Sequence, residues 1–322
     1  MPHRHLKTVQ KETSAERLVM MLKTAMGPEV GRLLTDDNVV ELMLNPDGKL
    51  WIDRLGAGRE DTGHTIKHED SLRIIQLVAG AVGAACNPEN PILSAELPEV
   101  GSRFQGVIPP VTTNPVFTIR KKALMIFTLD DYVAQGIMSE RQRATIIEAV
   151  NNKENILVVG GTGTGKTTLV NAVLHEIAAT NDRIVIIEDT RELQCSAPDT
   201  VFLRSKEGVA SMNDLLRATL RLRPDRIVVG EVRGPEALAL LKAWNTGHPG
   251  GVATVHANNA AAGLTRLEQL IQEAVITVPR ELIAEAVTIV IHIERAGHGR
   301  RIKEIVRVEG VERGKYQTRR ID

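Results

Sequence analysis

Residues 160–167 read Gly160-Gly161-Thr162-Gly163-Thr164-Gly165-Lys166-Thr167. This is G-x-x-x-x-G-K-[ST] in full, and its context decides the fold. An apolar run, NILVV, comes before it, and a helical stretch from about Lys166 to Ala179 comes after. Successive glycines let backbone N–H groups turn inward as an anion nest, and the helix start adds the positive end of its dipole. Nucleotide binding is therefore expected from Gly160, Gly161, Thr162, Gly163, Thr164, Gly165, Lys166, Thr167 and Thr168. Lys166 can reach the β- and γ-phosphates, and Thr167 can hold Mg²⁺. ATP and Mg²⁺ are the expected ligands.

Downstream, RIVIIE, RIVVG and VATV are continuous apolar runs. Such runs fit strands buried on both faces of a mostly parallel sheet. Helical stretches fall between them at 211–221, 235–245 and 259–276, which predicts a doubly wound α/β domain. Ser139 with Gln142 forms a capping box before Ile146, Ile147 and Val150. The tail reads as a hairpin, from TIVIHIE through AGHGR to RIKEIVRVEG.

Upstream, the pattern is α+β. Leu18, Met21, Leu22 and Ala25 recur at helical spacing between Arg17 and Met26. VVELML and KLWIDR flank the turn NPDG and predict a hairpin. Asp70 or Ser71 is the expected cap of a helix carrying Leu72, Ile75, Ala79 and Val82. ILSAEL, SRFQGVI and VFTIRKK read as short alternating strands. The boundary is placed near residue 130, giving an α+β domain over 1–130 and the nucleotide-binding domain over 131–322.

Composition narrows the function classes. A chain of 322 residues suggests two domains. Forty basic and forty acidic residues cancel, and aromatics are only 2%. Specific nucleic-acid binding is not expected, because it needs a basic excess and stacking faces. Two cysteines, Cys86 and Cys195, supply neither a disulfide framework nor a four-cysteine zinc site. The longest apolar stretch, Ile74 to Cys86, has thirteen residues, short of the roughly 20 that span a bilayer. No signal-peptide core is read at the start, so the expected location is cytoplasmic, at most peripheral to a membrane. From Arg295 onward nine basic residues face four acidic ones. That excess could touch anionic lipid, although a solvated hairpin is the preferred reading.

A phosphate nest needs carboxylates to make it hydrolytic. Glu188-Asp189 follows RIVII and Glu231 follows RIVVG, both at carboxyl ends of strands, where open α/β sheets bind ligands. Asp225 precedes its strand and is not assigned to Mg²⁺. Here the sequence resembles the secretion and traffic ATPases. IIEDTREL resembles their acidic box, LLRATLRLRPDRIVVGEVRGPEAL their Walker B region, and TGHPGGVATVHANNA their histidine box. GSRFQGVIPP and FTIRKK resemble the N-terminal domain of the type IV secretion branch.

The resemblance implies a RecA-like P-loop domain with a mostly parallel sheet, preceded by a smaller α+β domain. It also implies a homo-hexameric ATPase working with inner-membrane components of a conjugation or secretion machine. Glu188 then polarises the attacking water, Glu231 supports Mg²⁺ and His256 senses the γ-phosphate. Arg103 and Arg120 match arginines that reach the nucleotide. Arg217, Arg221 and Arg233 are the candidates for contacts across a subunit interface. His248 is a weaker candidate in the turn TGHPGG. Which glutamate is the general base stays open. The competing readings are a pilus assembly or retraction ATPase of the same superfamily, a RecA-like nucleic-acid motor, and a non-hydrolysing nucleotide-binding scaffold.

Overall fold

The computed structural model describes residues 14–55, 57–122, 127–206, 208–297 and 299–322, with side chains from residue 17. Residues 1–13, read above for a leader, and residues 123–126, just before the expected boundary, lie outside the described residues. The chain divides into two compact units, Met1–Leu124 and Met125–Asp322.

In the first unit, helix α1 (Ser14–Thr35) is interrupted at Gly27, before Pro28. The predicted helix ends near this break because Gly-Pro reads as a stop, yet Pro28 is tolerated as the start of a second helical run. Strands β1 (Val39–Leu44) and β2 (Lys49–Arg54) pair antiparallel around the Asn45–Gly48 turn. Strand β3 (Gly58–Thr65) was not predicted. It is nearly all polar and exposed, so no alternation marks it. Helix α2 (His68–Ala81) starts earlier than expected. Its N-cap is Lys67, without a side-chain bond. Asp70 and Ser71 lie inside the first turn, where Asp70 favours the helix dipole and Ser71 bonds back to the His68 carbonyl. Strands β4 (Ile92–Glu96), β5 (Arg103–Val107) and β6 (Val116–Arg120) complete a six-stranded sheet of order β3-β2-β1-β6-β5-β4. Its core gathers Leu42, Ile52, Ile75, Phe104, Phe117 and Ile119.

The second unit starts with α3 (Leu129–Ala134) and α4 (Glu140–Asn151). The Ser139–Gln142 capping box is present in both directions. Then come β7 (Ile156–Gly160), α5 (Lys166–Ile177), β8 (Ile184–Glu188), β9 (Thr200–Arg204), α6 (Met212–Thr219) and β10 (Arg226–Val229). They are followed by α7 (Glu236–Asn245), β11 (Val252–His256), α8 (Ala260–Gln272), α9 (Arg280–Ala286), β12 (Ile289–Ala296), β13 (Gly299–Glu312) and β14 (Lys315–Arg320). The eight strands order as β14-β13-β12-β7-β11-β10-β8-β9. Pairs from β12 through β9 are parallel, and β12–β13–β14 run antiparallel. The sequence reading missed α3, β9, α9 and β14. The two strands are short sheet edges, and α9 covers a single patch of core.

The continuous apolar runs have a direct cause. Leu157, Val159, Val185, Ile187, Ile227 and Val229 enter the core under α6, α7, α8 and α9. Ile156, Val158, Ile184, Ile186 and Val228 enter the opposite core under α3, α4 and α5. Neither strand face meets water, so neither face is polar.

At the amino ends of these strands sits one buried cation. Arg226, 1% exposed, donates to Asp182 at 2.7 Å and to the carbonyls of Val150 and Gly250 at 2.9 and 3.2 Å. Lys153 holds the other Asp182 oxygen at 2.7 Å. Burial would raise the Asp182 pKa, but hydrogen bonds from Lys153, Arg226 and Thr180 outweigh it and bring it down to about 2. Arg226→Met is expected to destabilise the unit by about 3 kcal/mol, the low end for breaking a buried pair, because it takes a partner from a partly buried carboxylate and from two carbonyls. Urea unfolding at pH 7 checks this. The pair's contribution is present above the unfolded-state pKa and fades as pH falls toward 2, so the deficit should shrink at low pH.

Candidate active site

The carboxyl ends of β7, β11, β10 and β8 lie side by side, and the candidate residues leave from them. Register does the placing. Gly160, the last residue of β7, is directly opposite His256, the last of β11. Val229 of β10 is opposite Ile187 of β8. The next residues, Gly230 and Glu188, are therefore neighbours. A β-carbon on Gly230 would lie 2.9 Å from Glu188 Cγ, so only glycine leaves room for that carboxylate.

Gly163 and Gly165 have φ of +69° and +97°, the conformation that turns the loop's N–H groups inward. Lys166 opens α5 and is buried. Its ammonium donates to the carbonyls of Gly160 and Gly161, each at 3.0 Å, and lies 3.3 Å from His256 Nδ1. An ammonium has only donors, so Nδ1 is the acceptor and the imidazole proton belongs on Nε2. Nε2 lies 2.5 Å from Glu231 Oε1. Burial first, then Lys166, Arg233 and Arg266, hold the His256 pKa below its usual value against the pull of Glu231. His256 is thus neutral at pH 7, bridging a lysine and a carboxylate.

Glu231 is fixed from both sides. Val232 N donates to the Thr254 carbonyl at 2.9 Å, and Thr254 Oγ1 donates to the Gly230 carbonyl at 2.7 Å. Buried Glu236 accepts from Arg233 N and Gly234 N, at 2.7 and 2.9 Å. The other Glu231 oxygen accepts from Arg233 Nε at 2.9 Å and from its Nη2, and Arg233 Nη1 reaches Asp189. Arg233, expected as a contact across a subunit interface, is half-exposed and is engaged by two carboxylates of its own chain.

Glu188 is 3% exposed. Its Oε1 accepts from the backbone N–H groups of Glu192 and Leu193, at 3.0 and 2.9 Å. Burial pushes its pKa up to about 7, aided by Glu192 and Asp189 and opposed by those two bonds. Glu192 also accepts from the Thr167 hydroxyl at 3.2 Å. Glu192 and Thr254 were not singled out from the sequence. Glu192 stands in the quoted acidic box, four residues after Glu188, and that position was the available signal. Thr254 carries none, since a threonine in an apolar strand reads as a strand residue.

The remaining candidates separate. Arg217 lies on α6 and Arg221 just beyond it, both exposed. Among the described residues, no hydrogen bond or ion pair ties either to the loop. Arg103 and Arg120 belong to the first unit, where they stand opposite each other across β5 and β6. His248 and Asp225 lie at the amino ends of the strands, away from the loop. His248 Nδ1 is 2.9 Å from the Pro224 carbonyl, and Asp225 accepts from Arg183 N at 2.8 Å. A cleft of about 560 Å³ opens beside the loop, lined by Gly161, Thr162, His256, Asn258, Thr265 and Arg266, among others.

Comparison with known proteins gives the family. The family described as Type II/IV secretion system protein matches residues 84–316. Probable conjugal transfer protein TrbB of Sinorhizobium fredii is 51% identical, over 94% of this chain and 94% of that one. Type IV secretion system protein VirB11 of Bartonella henselae is 30% identical, over 81% of this chain and 84% of its own. The X-ray structure of the Legionella pneumophila ATPase DotB superposes with a TM-score of 0.64 at 19% identity, covering 87% of this chain and 80% of that one. That last likeness is one of fold.

Glu188 makes a stability prediction. Its folded pKa of about 7 lies above the ordinary glutamate value of 4.5. Its favourable contribution is complete below the unfolded value and is lost as pH rises through 7. Glu188→Gln keeps the acceptor oxygen and removes the charge. It should match the parent at pH 4 and exceed it by up to about 3 kcal/mol at pH 8. Denaturant midpoints at the two pH values decide this.

Proposed function

This chain belongs to the type II/IV secretion system protein family, and on that premise we propose how its ATPase centre divides the work and what it drives. It is an ATPase of the conjugation and type IV secretion class. The proposed assembly is a hexameric ring, cytoplasmic and peripheral at an inner membrane. It couples hydrolysis to conjugative transfer or to pilus biogenesis, with inner-membrane components of the machine as partners. Among the described residues, no helix is long and apolar enough to cross a membrane. The observation that carries the reading is the convergence of Lys166, His256, Glu231 and Glu188 around one phosphate nest.

In this reading Lys166 and the loop N–H groups hold the phosphates. Thr167 and Glu231 would hold Mg²⁺. Hydroxyl and carboxylate are the hard oxygens it takes, and an ion shared with phosphates needs only one or two protein ligands. The ion, when bound, neutralises charge on the transferring phosphoryl group. Glu188 polarises the attacking water, because a carboxyl with a pKa near 7 is matched to proton abstraction at neutral pH. Neutral His256 links Lys166 to Glu231 and so reads the γ-phosphate. Arg217 and Arg221, exposed and unengaged by the site of their own chain, are proposed to reach a neighbour's nucleotide. Arg233 is assigned to its own chain, steadying Glu231.

Lys166→Ala should abolish phosphate release while thermal unfolding stays close to the parent, since Lys166 serves the loop and supports neither apolar core. Glu188→Gln and Glu231→Gln should each slow turnover more than they weaken ATP binding. Ordinary turnover in Lys166→Ala would overturn the assignment. Light scattering in ATP·Mg²⁺ should give a homo-oligomer, and a monomer at micromolar protein would remove the ring.

Mixing inactive Lys166→Ala with inactive Arg217→Ala should restore part of the activity if Arg217 acts in trans. Some interfaces then pair an intact lysine with an intact arginine. Energy transfer between labelled chains confirms exchange. Exchange without recovery sinks the trans role for Arg217, and Arg221 is tested the same way.

A further inference from the structure

The glycines of the phosphate loop are crowded from the side opposite to His256. A β-carbon at Gly163 would lie 2.7 Å from Nη2 of Arg295, and one at Gly165 would lie 3.1–3.2 Å from Cδ, Nε and Nη1 of Arg300. Arg295 is on β12 and Arg300 on β13, and the two are directly opposite each other in the antiparallel register. Both guanidinium groups therefore lie against the nest, beside the start of α5.

This placement is unfavourable by itself. Like charges opposite each other in a sheet repel. The helix start and Lys166 add more positive character at the same spot. Nearby cations of the hairpin are compensated: Arg301 and Lys303 pair with Glu294, and Arg307 pairs with Glu154. Among the described residues, Arg295 and Arg300 have no carboxylate partner. Two bulkless glycines give them access to the loop. What would balance all these charges at once is a polyanion seated in the nest.

We propose that Arg295 and Arg300 are phosphate-binding residues of their own chain's nucleotide site. They close over the nucleotide from the hairpin side. Strand order says which phosphates they hold. His256, Glu231 and Glu188 come from β11, β10 and β8, on one flank of β7, while Arg295 and Arg300 come from β12 and β13, on the other. The first flank carries the groups assigned to the γ-phosphate and to water. The arginines therefore take the α- and β-phosphates, which ATP and ADP share. They set affinity for both nucleotides and retention of the product, and leave the bond-breaking step to the other flank. The basic excess of the tail then serves the nucleotide in part, with no lipid required.

The inference rests on the nucleotide-binding reading above, and the test separates the two. Equilibrium binding of fluorescently labelled ADP and of unlabelled ATP by displacement is measured without Mg²⁺, on the full chain. Arg295→Gln and Arg300→Gln should each raise Kd for ADP and ATP alike, by about tenfold, the weight of a charge-assisted hydrogen bond. The Lys variants at these positions should recover part of the loss. Arg301→Gln, on the same hairpin but paired with Glu294, should bind as the parent does. Unchanged affinity in both Gln variants would overturn the proposal, as would a loss confined to ATP or an equal loss in Arg301→Gln. A parent chain that binds neither nucleotide would overturn the ATPase reading itself. If a Gln variant loses its cooperative thermal transition, the Lys variant decides: parent-like folding with parent-like Kd overturns the proposal, and a Kd between parent and Gln supports it.

Discussion

The pairing of Gly160 with His256 across β7 and β11 holds the site together. A parallel ladder cannot slip by one residue without sending every apolar side chain to the wrong core. Because both faces of these strands are buried, the register is fixed by the whole sheet, far from any charged group. Lys166 is six residues beyond Gly160 along the loop and meets His256 from the other side. His256 then meets Glu231, Glu231 meets Arg233, and Arg233 meets Asp189. Apolar packing thus sets the positions of the charged side chains.

The two ends of the sheet use charge differently. At the amino ends, Arg226 is enclosed, and it and the partly buried Asp182 are fully engaged. At the carboxyl ends, Glu188 is enclosed yet carries a pKa near neutrality, where a small change of surroundings alters its protonation. A buried carboxylate of that kind is a cost to stability at physiological pH. Proteins keep such groups where chemistry uses them.

Much of this was legible in the sequence. The loop motif, the apolar runs and the capping box predicted the second unit, because each rests on local chemistry that tertiary packing reinforces. Glu188, Glu231 and His256 were legible because they end apolar runs, so the strand pattern itself aims them at one edge. The polar strand β3 and the edge strands β9 and β14 were not legible, since an edge needs no apolar alternation to pair. The hold of Arg233 on two carboxylates of its own chain was not legible. Its partners, Asp189 and Glu231, are 44 and 2 residues away, and spacing does not show that β8 and β10 are adjacent. Arg295 and Arg300 were read only as part of a basic tail, because their relation to Gly163 and Gly165 arises when β12 pairs beside β7.

The eight-stranded sheet is open at both margins, and the margins are guarded. One is β14, whose residues include Lys315, Arg319 and Arg320. The other is β9, five residues long and ending in Arg204. Clustered cations and shortness discourage a further strand from docking on a free edge. Copies of this chain therefore have little incentive to join by extending one sheet into the next. Assembly through this unit is left to loops and helices, whose side-chain contacts can loosen and re-form without unravelling a backbone ladder.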